Sequence, residues 1–228
     1  MNQIWITGFL GAGKSTLAHA LREQGVQTHE TSGLETPPDG VYCIAVADAA
    51  NLPQCLGDPL FAPLLREQIG MAGLIAVSRG DVIDPAPTIE ALRQIISKTI
   101  VEAPGGALDP GLLAAIELSS GTQMDLTPRF AHWSYEGPST LRLETAERLL
   151  EKRPDGLYRL SGTIRVEKGT LEVEIAGQVR QTRKLRAEGP TCLSGYGPRD
   201  RFRPAEMALS FAEAVSDSAA RRGLFGYR

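Results

Sequence analysis

The chain has 228 residues, 42% of them hydrophobic and 22% charged, a composition typical of a soluble globular protein with one large or two small domains. No apolar run approaches the roughly 18 residues of a membrane span, and the start lacks a basic signal segment. We therefore expect no membrane partner. Three scattered cysteines, Cys43, Cys55 and Cys192, argue against a disulfide framework or a structural zinc site and favour a reducing, cytoplasmic setting.

The formal net charge of −3 is unevenly distributed along the chain. Residues 1–128 carry 6 Lys/Arg and 14 Asp/Glu, whereas residues 129–228 carry 18 Lys/Arg and 13 Asp/Glu. This division suggests two units with different partners. Neither half is basic enough to predict a nucleic-acid partner.

The first half alternates short apolar strands with helices, which predicts a parallel sheet covered by helices on both faces. In chain order we expect a strand at 3–7, a helix at 14–24, an extended piece at 26–29, a strand from 41 to Asp48, a helix at 59–71, a strand at 74–77, a helix at 88–97 and a strand at 99–102.

The pattern changes after about residue 125. We expect a strand at 132–136, a helix at 139–152 capped by Ser139, a hairpin of 157–166 and 171–175 around Lys168-Gly169, a strand around Cys192 and a helix at 204–216. Hairpins and alternating polar and apolar residues are typical of an antiparallel α+β domain. The predicted organisation is α/β over residues 1–128, followed by a small α+β domain over residues 129–228.

The first strand leads into a loop that fits the phosphate-binding pattern G-x-x-x-x-G-K-[ST] in full, between a strand and a helix. Backbone amides at the start of such a helix bind phosphate oxygens, the lysine reaches the β- and γ-phosphates, and the serine hydroxyl ligates Mg²⁺. The motif predicts the parallel sheet of a P-loop nucleoside triphosphatase. The alternative is a glycine-rich turn formed for packing alone. The predicted nucleotide-binding residues of this loop are Gly8, Gly11, Ala12, Gly13, Lys14, Ser15 and Thr16.

Residues 6–17, ITGFLGAGKSTL, resemble the opening of the CobW-type family of GTPases. Glu30-Thr31-Ser32-Gly33 resembles that family's Glu-x-x-Gly motif, and Ala45-Val46-Ala47-Asp48-Ala49 resembles its next strand; the latter half, from Trp133 to Phe211, is similar to its C-terminal domain. The resemblance implies GTP and Mg²⁺ as cofactors, a link to metal homeostasis or cobalamin biosynthesis, and a protein partner of the C-terminal domain.

Three further residues are candidates at the phosphate end of the site. A carboxylate at Glu30 would hold a Mg²⁺-bound water, and the Gly33 amide would approach the γ-phosphate. Asp48 ends a strand at the sheet edge where ligands bind. The predicted metal set is Ser15, Glu30 and Asp48, and the predicted catalytic pair is Lys14 and Glu30. The alternatives are a surface acid or helix cap at Glu30 and a turn cap at Asp48.

Ser78-Arg79-Gly80-Asp81 stands where GTPases usually have Asn-Lys-x-Asp. Asp81 would accept two hydrogen bonds from guanine, and Arg79 would cover a face of the base. Ser78 lacks the amide that would tie the loop together, so we expect weakened selectivity for GTP over ATP. The alternative is a plain polar turn after a buried strand.

Only fifteen residues separate Lys14 from Glu30, whereas members of the resembling family place a first switch region and a Cys-x-Cys-Cys metal motif there. Direct metal carriage is therefore not expected, and hydrolysis is expected to be weak or partner-dependent.

His29 is next to Glu30 and would orient water; the alternative is a purely structural role. The arginines of the second half form a solvated basic face or dock on the acidic first half; the alternatives are that they supply a catalytic arginine or bind an anionic partner.

Two other functions remain open at this point. One is a non-hydrolysing scaffold or protein-interaction module of the same ancestry. The other is a small-metabolite kinase, which the few arginines of residues 1–128 make unattractive.

Overall fold

The computed structural model describes residues 3–121 and 124–225, and the chain divides into two compact units between Thr127 and Pro128. The elements of the first unit are β1 Ile4–Thr7, α1 Lys14–Glu23, β2 Thr28–Glu30, β3 Cys43–Asp48, α2 Leu52–Gly57, α3 Phe61–Met71, β4 Leu74–Ser78, α4 Ala86–Arg93 and β5 Ile100–Glu102. Its five strands form a parallel sheet in the order β2-β1-β3-β4-β5.

Both faces of this sheet are covered, because all six residues of β3 are buried. Ile44 and Val46 of β3 share a hydrophobic core with Leu17 of α1, and α3 packs against β3 as well. Burial raises the pKa of the Cys43 thiol, on the same strand, to about 12. The predicted α/β fold, with helices over a parallel sheet, is confirmed.

The order of the strands decides which loops meet. β1 lies between β2 and β3, so the chain leaves β1 toward one side of the sheet and later returns to the other side. In open α/β sheets, ligands bind beyond the carboxyl ends of the strands at such a switch point. The segments after β1, β2, β3 and β4 therefore meet at one edge of the sheet.

The elements of the second unit are β6 Phe130–Gly137, β7 Thr140–Leu141, α5 Leu143–Glu151, β8 Arg159–Val166, β9 Gly169–Ala176, β10 Val179–Leu185, β11 Thr191–Pro198 and α6 Pro204–Phe225. It is built around an antiparallel sheet in the order β10-β9-β8-β11-β6, with β7 paired to β8 in parallel. Alternate residues of β8 and β9, such as Leu160, Ile164 and Val173, form one core with Leu150 and Phe211 of the helices. The predicted hairpin around Lys168-Gly169 is confirmed as β8 and β9.

Several element predictions were wrong. The helix predicted from Ser139 begins at Leu143, because Thr140–Leu141 pairs with β8 as a strand and the Ser139 hydroxyl hydrogen-bonds to Tyr135. β10 was missed because four of its seven residues are exposed and polar, which hides the alternation. α2 was also missed, α4 ends four residues earlier than predicted, and α6 continues beyond residue 216.

The arginines on the strands of the second unit are paired with glutamates of the same unit. This arrangement agrees with a solvated face, and the pairing with glutamates was not predicted from the sequence. The pairs are Arg159 with Glu174 at 3.3 Å, Arg165 with Glu188 at 3.3 Å, Arg180 with Glu151 at 3.7 Å and Arg183 with Glu172 at 2.8 Å. In the part of the chain that the structure describes, no helix is long and apolar enough to cross a membrane.

Candidate functional site

The glycine-rich loop joins β1 to α1 through backbone conformations that favour glycine. Gly8, Gly11 and Gly13 have φ values of 139°, 76° and 93°. A Cβ at Gly8 would lie 2.5 Å from the Val46 carbonyl oxygen, so the loop can lie against β3 only with glycine there. The loop delivers the chain to the start of α1, whose first amides have no partner within the helix.

Lys14 lies in the first turn of α1 and is only 7% exposed. Its ammonium group donates hydrogen bonds to the carbonyl oxygens of Gly8, at 2.9 Å, and Phe9, at 3.1 Å. These bonds hold the loop closed around the side chain. A positive charge is thereby fixed beside the helix start, where the α1 dipole also favours an anion.

The structure brings together Ser15 and Glu30, two residues predicted as metal ligands. The Ser15 hydroxyl donates to Glu30 Oε2 at 2.8 Å, and Arg22 Nη2 donates to Glu30 Oε1 at 3.2 Å. The Glu30 carboxylate is thus held on both oxygens, with its side chain 24% exposed. Because the hydroxyl proton points at Glu30, the lone pairs of Ser15 Oγ face elsewhere and remain able to accept a ligand.

His29, next to Glu30, packs on Trp5 of the neighbouring strand. The two ring centroids are 4.0 Å apart, and the residues are register partners in the β1–β2 pair. This contact favours the structural interpretation of His29.

Gly33 lies directly against the loop. A Cβ on Gly33, whose φ is 88°, would lie 2.8 Å from Lys14 Nζ and 3.1 Å from the Leu10 amide nitrogen. The Thr31 amide donates to the Ile6 carbonyl at 3.0 Å, which ties the segment to β1. The glycine of the Glu-x-x-Gly motif therefore approaches the predicted phosphate-binding lysine.

Gln68 of α3 supports the same segment and was not predicted from the sequence. It is 1% exposed, and its Nε2 donates to the Glu35 carbonyl at 2.9 Å and to the Gly33 carbonyl at 3.5 Å. The signal was available, because Gln68 interrupts the apolar face formed by Leu64, Leu65 and other buried residues of α3. A polar residue on a buried helix face needs a partner.

The loop after β4 is bound to the glycine-rich loop. The Ser78 hydroxyl donates to the Ala12 carbonyl at 2.7 Å, and Arg79 Nη2 donates to the Gly11 carbonyl at 3.0 Å. The expectation that Ser78 fails to tie the loop together was therefore wrong, because the hydroxyl itself reaches Ala12. Arg79 has a φ of 61°, a left-handed conformation that is strained for a residue with a side chain.

Asp48 belongs to this second group of contacts rather than to the pair of Ser15 and Glu30. Its carboxylate accepts hydrogen bonds from Arg79 Nη1 at 2.6 Å, from the Ala50 amide at 2.9 Å and from Asn51 Nδ2 at 2.7 Å. The turn cap, offered above as the alternative for Asp48, is what the structure shows. The Arg79 guanidinium is held by Asp48 and Gly11, whereas Arg79 had been expected to cover a base.

The remaining predicted residues, Thr16 and Asp81, are exposed. Thr16 is in the first turn of α1, and Asp81 follows Arg79 in the loop after β4. Among the residues that the structure describes, no group of three or more His, Cys, Asp or Glu side chains is placed to hold a metal ion.

No protein-family model matches the chain, and no curated protein matches it. Among solved structures, the chain is similar to the Zn(II)-bound YjiA GTPase from E. coli, at 16% identity and a TM-score of 0.37, over 94% of this chain and 99% of that one. A Zn(II)-bound triple mutant of the YjiA GTPase gives the same identity, coverage and TM-score.

Proposed function

We propose that this chain binds a guanine nucleoside triphosphate together with Mg²⁺, as the resemblance to CobW-type GTPases implies, and that it hydrolyses the triphosphate slowly. The observation that carries the proposal is the 2.8 Å hydrogen bond from the Ser15 hydroxyl to Glu30, immediately after a complete phosphate-binding loop. It joins the end of β2 to the residue that would ligate the metal. A glycine-rich turn formed for packing alone would not require a carboxylate bound to the serine of the loop.

The donor set fits Mg²⁺. Mg²⁺ prefers hard oxygen ligands and is usually bound by one or two protein groups, phosphate oxygens and several waters. Ser15 Oγ would ligate the ion through a lone pair, and Glu30 would accept a hydrogen bond from a metal-bound water. Bound Mg²⁺ would supply positive charge to the β- and γ-phosphate oxygens. Lys14 would contribute a second positive charge, and Gly33 an amide near the γ-phosphate.

Asp81 supports guanine as the base. A carboxylate accepts two hydrogen bonds from the N1 and N2 donors of guanine, whereas adenine lacks this pair of donors on that edge. The bonds of Ser78 and Arg79 to the carbonyls of Ala12 and Gly11 fix the loop of Asp81 to the phosphate loop. Base and phosphates would therefore be bound by one connected group of loops.

Slow hydrolysis is proposed because the segment from Lys14 to Glu30 consists of α1, a turn and β2. It contains no additional segment to close over the γ-phosphate, and phosphoryl transfer depends on such positioning. We propose that residues 128–228 contact a protein partner that completes the site. The Arg22–Glu30 contact favours a second candidate, a protein that binds nucleotide without hydrolysing it, since Arg22 already engages Glu30 Oε1.

Calorimetric titration with GTP, GDP and ATP in the presence of Mg²⁺ tests nucleotide binding. We expect micromolar binding of GTP by the wild type, weaker binding of ATP, and no measurable binding by Lys14→Ala. Arg93→Ala, which removes an exposed positive charge at the end of α4, serves as the control and should bind like the wild type. A wild type that binds none of the three nucleotides would contradict the proposal.

Phosphate release at saturating GTP separates the two candidates. A slow rate that falls in Glu30→Ala supports hydrolysis. Equal rates in the wild type and Glu30→Ala favour nucleotide binding without hydrolysis.

A further inference from the structure

The amide of Gln68 lies in an unusual place for a polar group. It is on the buried face of α3, among Leu64, Leu65 and Ile69, and it is 1% exposed. Its Nε2 donates to the Glu35 carbonyl at 2.9 Å and reaches the Gly33 carbonyl at 3.5 Å. One side chain therefore holds the backbone on both sides of Leu34.

Within the described part of the chain, the carbonyl oxygen of the same amide makes no hydrogen bond that would offset the free-energy cost of its burial. Gln68 Oε1 is buried and has no hydrogen-bond partner among the residues that the structure describes. An unpaired buried acceptor costs free energy that an apolar side chain of the same shape would avoid. The contribution of Gln68 is therefore its donor group, and what that donor fixes is the segment that includes Gly33.

The position of Gly33 matters because of its distance to the phosphate loop. A Cβ there would be 2.8 Å from Lys14 Nζ and 3.1 Å from the Leu10 amide nitrogen. A shift of this backbone by an ångström would change how closely it approaches a group bound at Lys14. The γ-phosphate is the part of a bound triphosphate that a diphosphate lacks.

We propose that Gln68 is a positioning residue that holds Gly33 against Lys14 and thereby makes the site distinguish a triphosphate from a diphosphate. The inference rests on the proposed function, because Gly33 can act only on a nucleotide bound at the loop. Gln68 itself touches no phosphate. It acts through the backbone of residues 33–35.

Other bonds hold the same segment when Gln68 is removed. The Thr31 amide donates to the Ile6 carbonyl at 3.0 Å, and the Leu126 amide donates to the Leu34 carbonyl at 2.8 Å. Loss of Gln68 therefore loosens Gly33 without releasing the whole segment from the sheet. We expect a folded variant with a selective defect.

The test compares the dissociation constants of GDP and a non-hydrolysable GTP analogue, each with Mg²⁺. Gln68→Met keeps the length and approximate volume of the side chain and removes both its donor and its unpaired acceptor. We expect the analogue to bind about five- to tenfold more weakly, as for loss of one supporting hydrogen bond, and GDP to bind within about twofold of the wild type. The control is Gln54→Met, at an exposed position of α2, which should change neither constant.

A merely structural role would weaken both nucleotides by the same factor and lower the thermal midpoint. That result, or two unchanged constants, overturns the inference. Hydrogen exchange of the wild type gives a readout that does not depend on the variant's folding. The analogue should slow exchange in residues 33–35 and around Gln68 relative to GDP, and equal exchange with both ligands also overturns it.

The two proposals fail in different ways. A wild type that binds neither nucleotide overturns the proposed function and this inference with it. A wild type that binds both nucleotides, with equal losses in Gln68→Met, overturns the role of Gln68 alone.

Discussion

Two groups of contacts lie beside the phosphate loop: the β2 flank, with Ser15, Arg22 and Glu30, and the β4 flank, with Asp48, Ser78 and Arg79. Both contain a carboxylate paired with an arginine, but the two pairs differ in exposure. On the β2 flank, Glu30 bonds to Ser15 and Arg22, and the Glu30 and Arg22 side chains are 24% and 49% exposed. On the β4 flank, Arg79 pairs with Asp48, and these side chains are 13% and 7% exposed. Each flank has one pair of a carboxylate and an arginine, but only the pair on the β2 flank is open to solvent.

This difference separates anchoring from ligand binding. On the β4 flank, protein atoms already satisfy the polar groups, because Asp48 accepts three hydrogen bonds and Arg79 also binds the Gly11 carbonyl. Such a network fixes the loops, and Asp48 and Arg79 have little left to offer a ligand; Asp81, further along the loop after β4, is exposed and remains available to the base. On the β2 flank, Ser15 and Glu30 can exchange partners with water or an ion. This assignment can be tested through the stability of the β4 flank and through the metal dependence of the β2 flank.

The largest expected effect is on the β4 flank. Arg79→Ala leaves the buried Asp48 carboxylate without its counter-charge, which should lower the free energy of unfolding by about 3 kcal/mol. Urea denaturation measures this loss. The double variant Arg79→Ala/Asp48→Asn, which removes the uncompensated charge, should recover part of it. A single variant as stable as the wild type would show that this flank is not an anchor.

The next effect is on the β2 flank and concerns Mg²⁺ rather than stability. Ser15→Ala removes the hydroxyl that would ligate the ion, so the gain in GTP affinity on adding Mg²⁺ should fall by about tenfold, as for a bond to a charged group. The measurement is the GTP dissociation constant with Mg²⁺ and with a chelator. Ser97→Ala, at an exposed position between α4 and β5, is the control. An unchanged Mg²⁺ effect would contradict the metal role of Ser15.

The fold of the first unit was predictable because its strands are buried on both faces and therefore form continuous apolar runs. β3 and β4 are buried at every position, and the glycine loop marks the end of β1. β10 was not predictable in this way, since the polar residues of an exposed edge strand carry no periodic signal. Ser139 was mistaken for a helix cap because only the tertiary fold gives Thr140–Leu141 a partner in β8.

The residues of the site also divide into those that a local pattern predicts and those that only the tertiary fold brings together. Lys14, Ser15 and Glu30 were predicted from local motifs, because the spacing of such motifs indicates a loop and the strand beside it. The partner of Asp48 was not predicted, because Arg79 is 31 residues away and lies beside Asp48 only because β3 and β4 are neighbours in the sheet. Ser78 and Ala12 are 66 residues apart for the same reason. Contacts between the ends of different strands depend on sheet order, which no short pattern contains.

The smallest expected effect completes the comparison. Arg22→Ala breaks an ion pair of the same chemical type as that of Arg79, but Arg22 is 49% exposed, and solvent screening limits such a pair to less than about 1 kcal/mol. Urea denaturation should give a loss well below that of Arg79→Ala, close to that of Arg66→Ala, which removes an exposed arginine of α3. The difference should shrink further at high salt, because salt screens exposed charges. A loss in Arg22→Ala as large as that in Arg79→Ala would mean that Glu30 is anchored as firmly as Asp48, and the β2 flank would then lose the freedom to exchange partners on which a ligand-binding role depends.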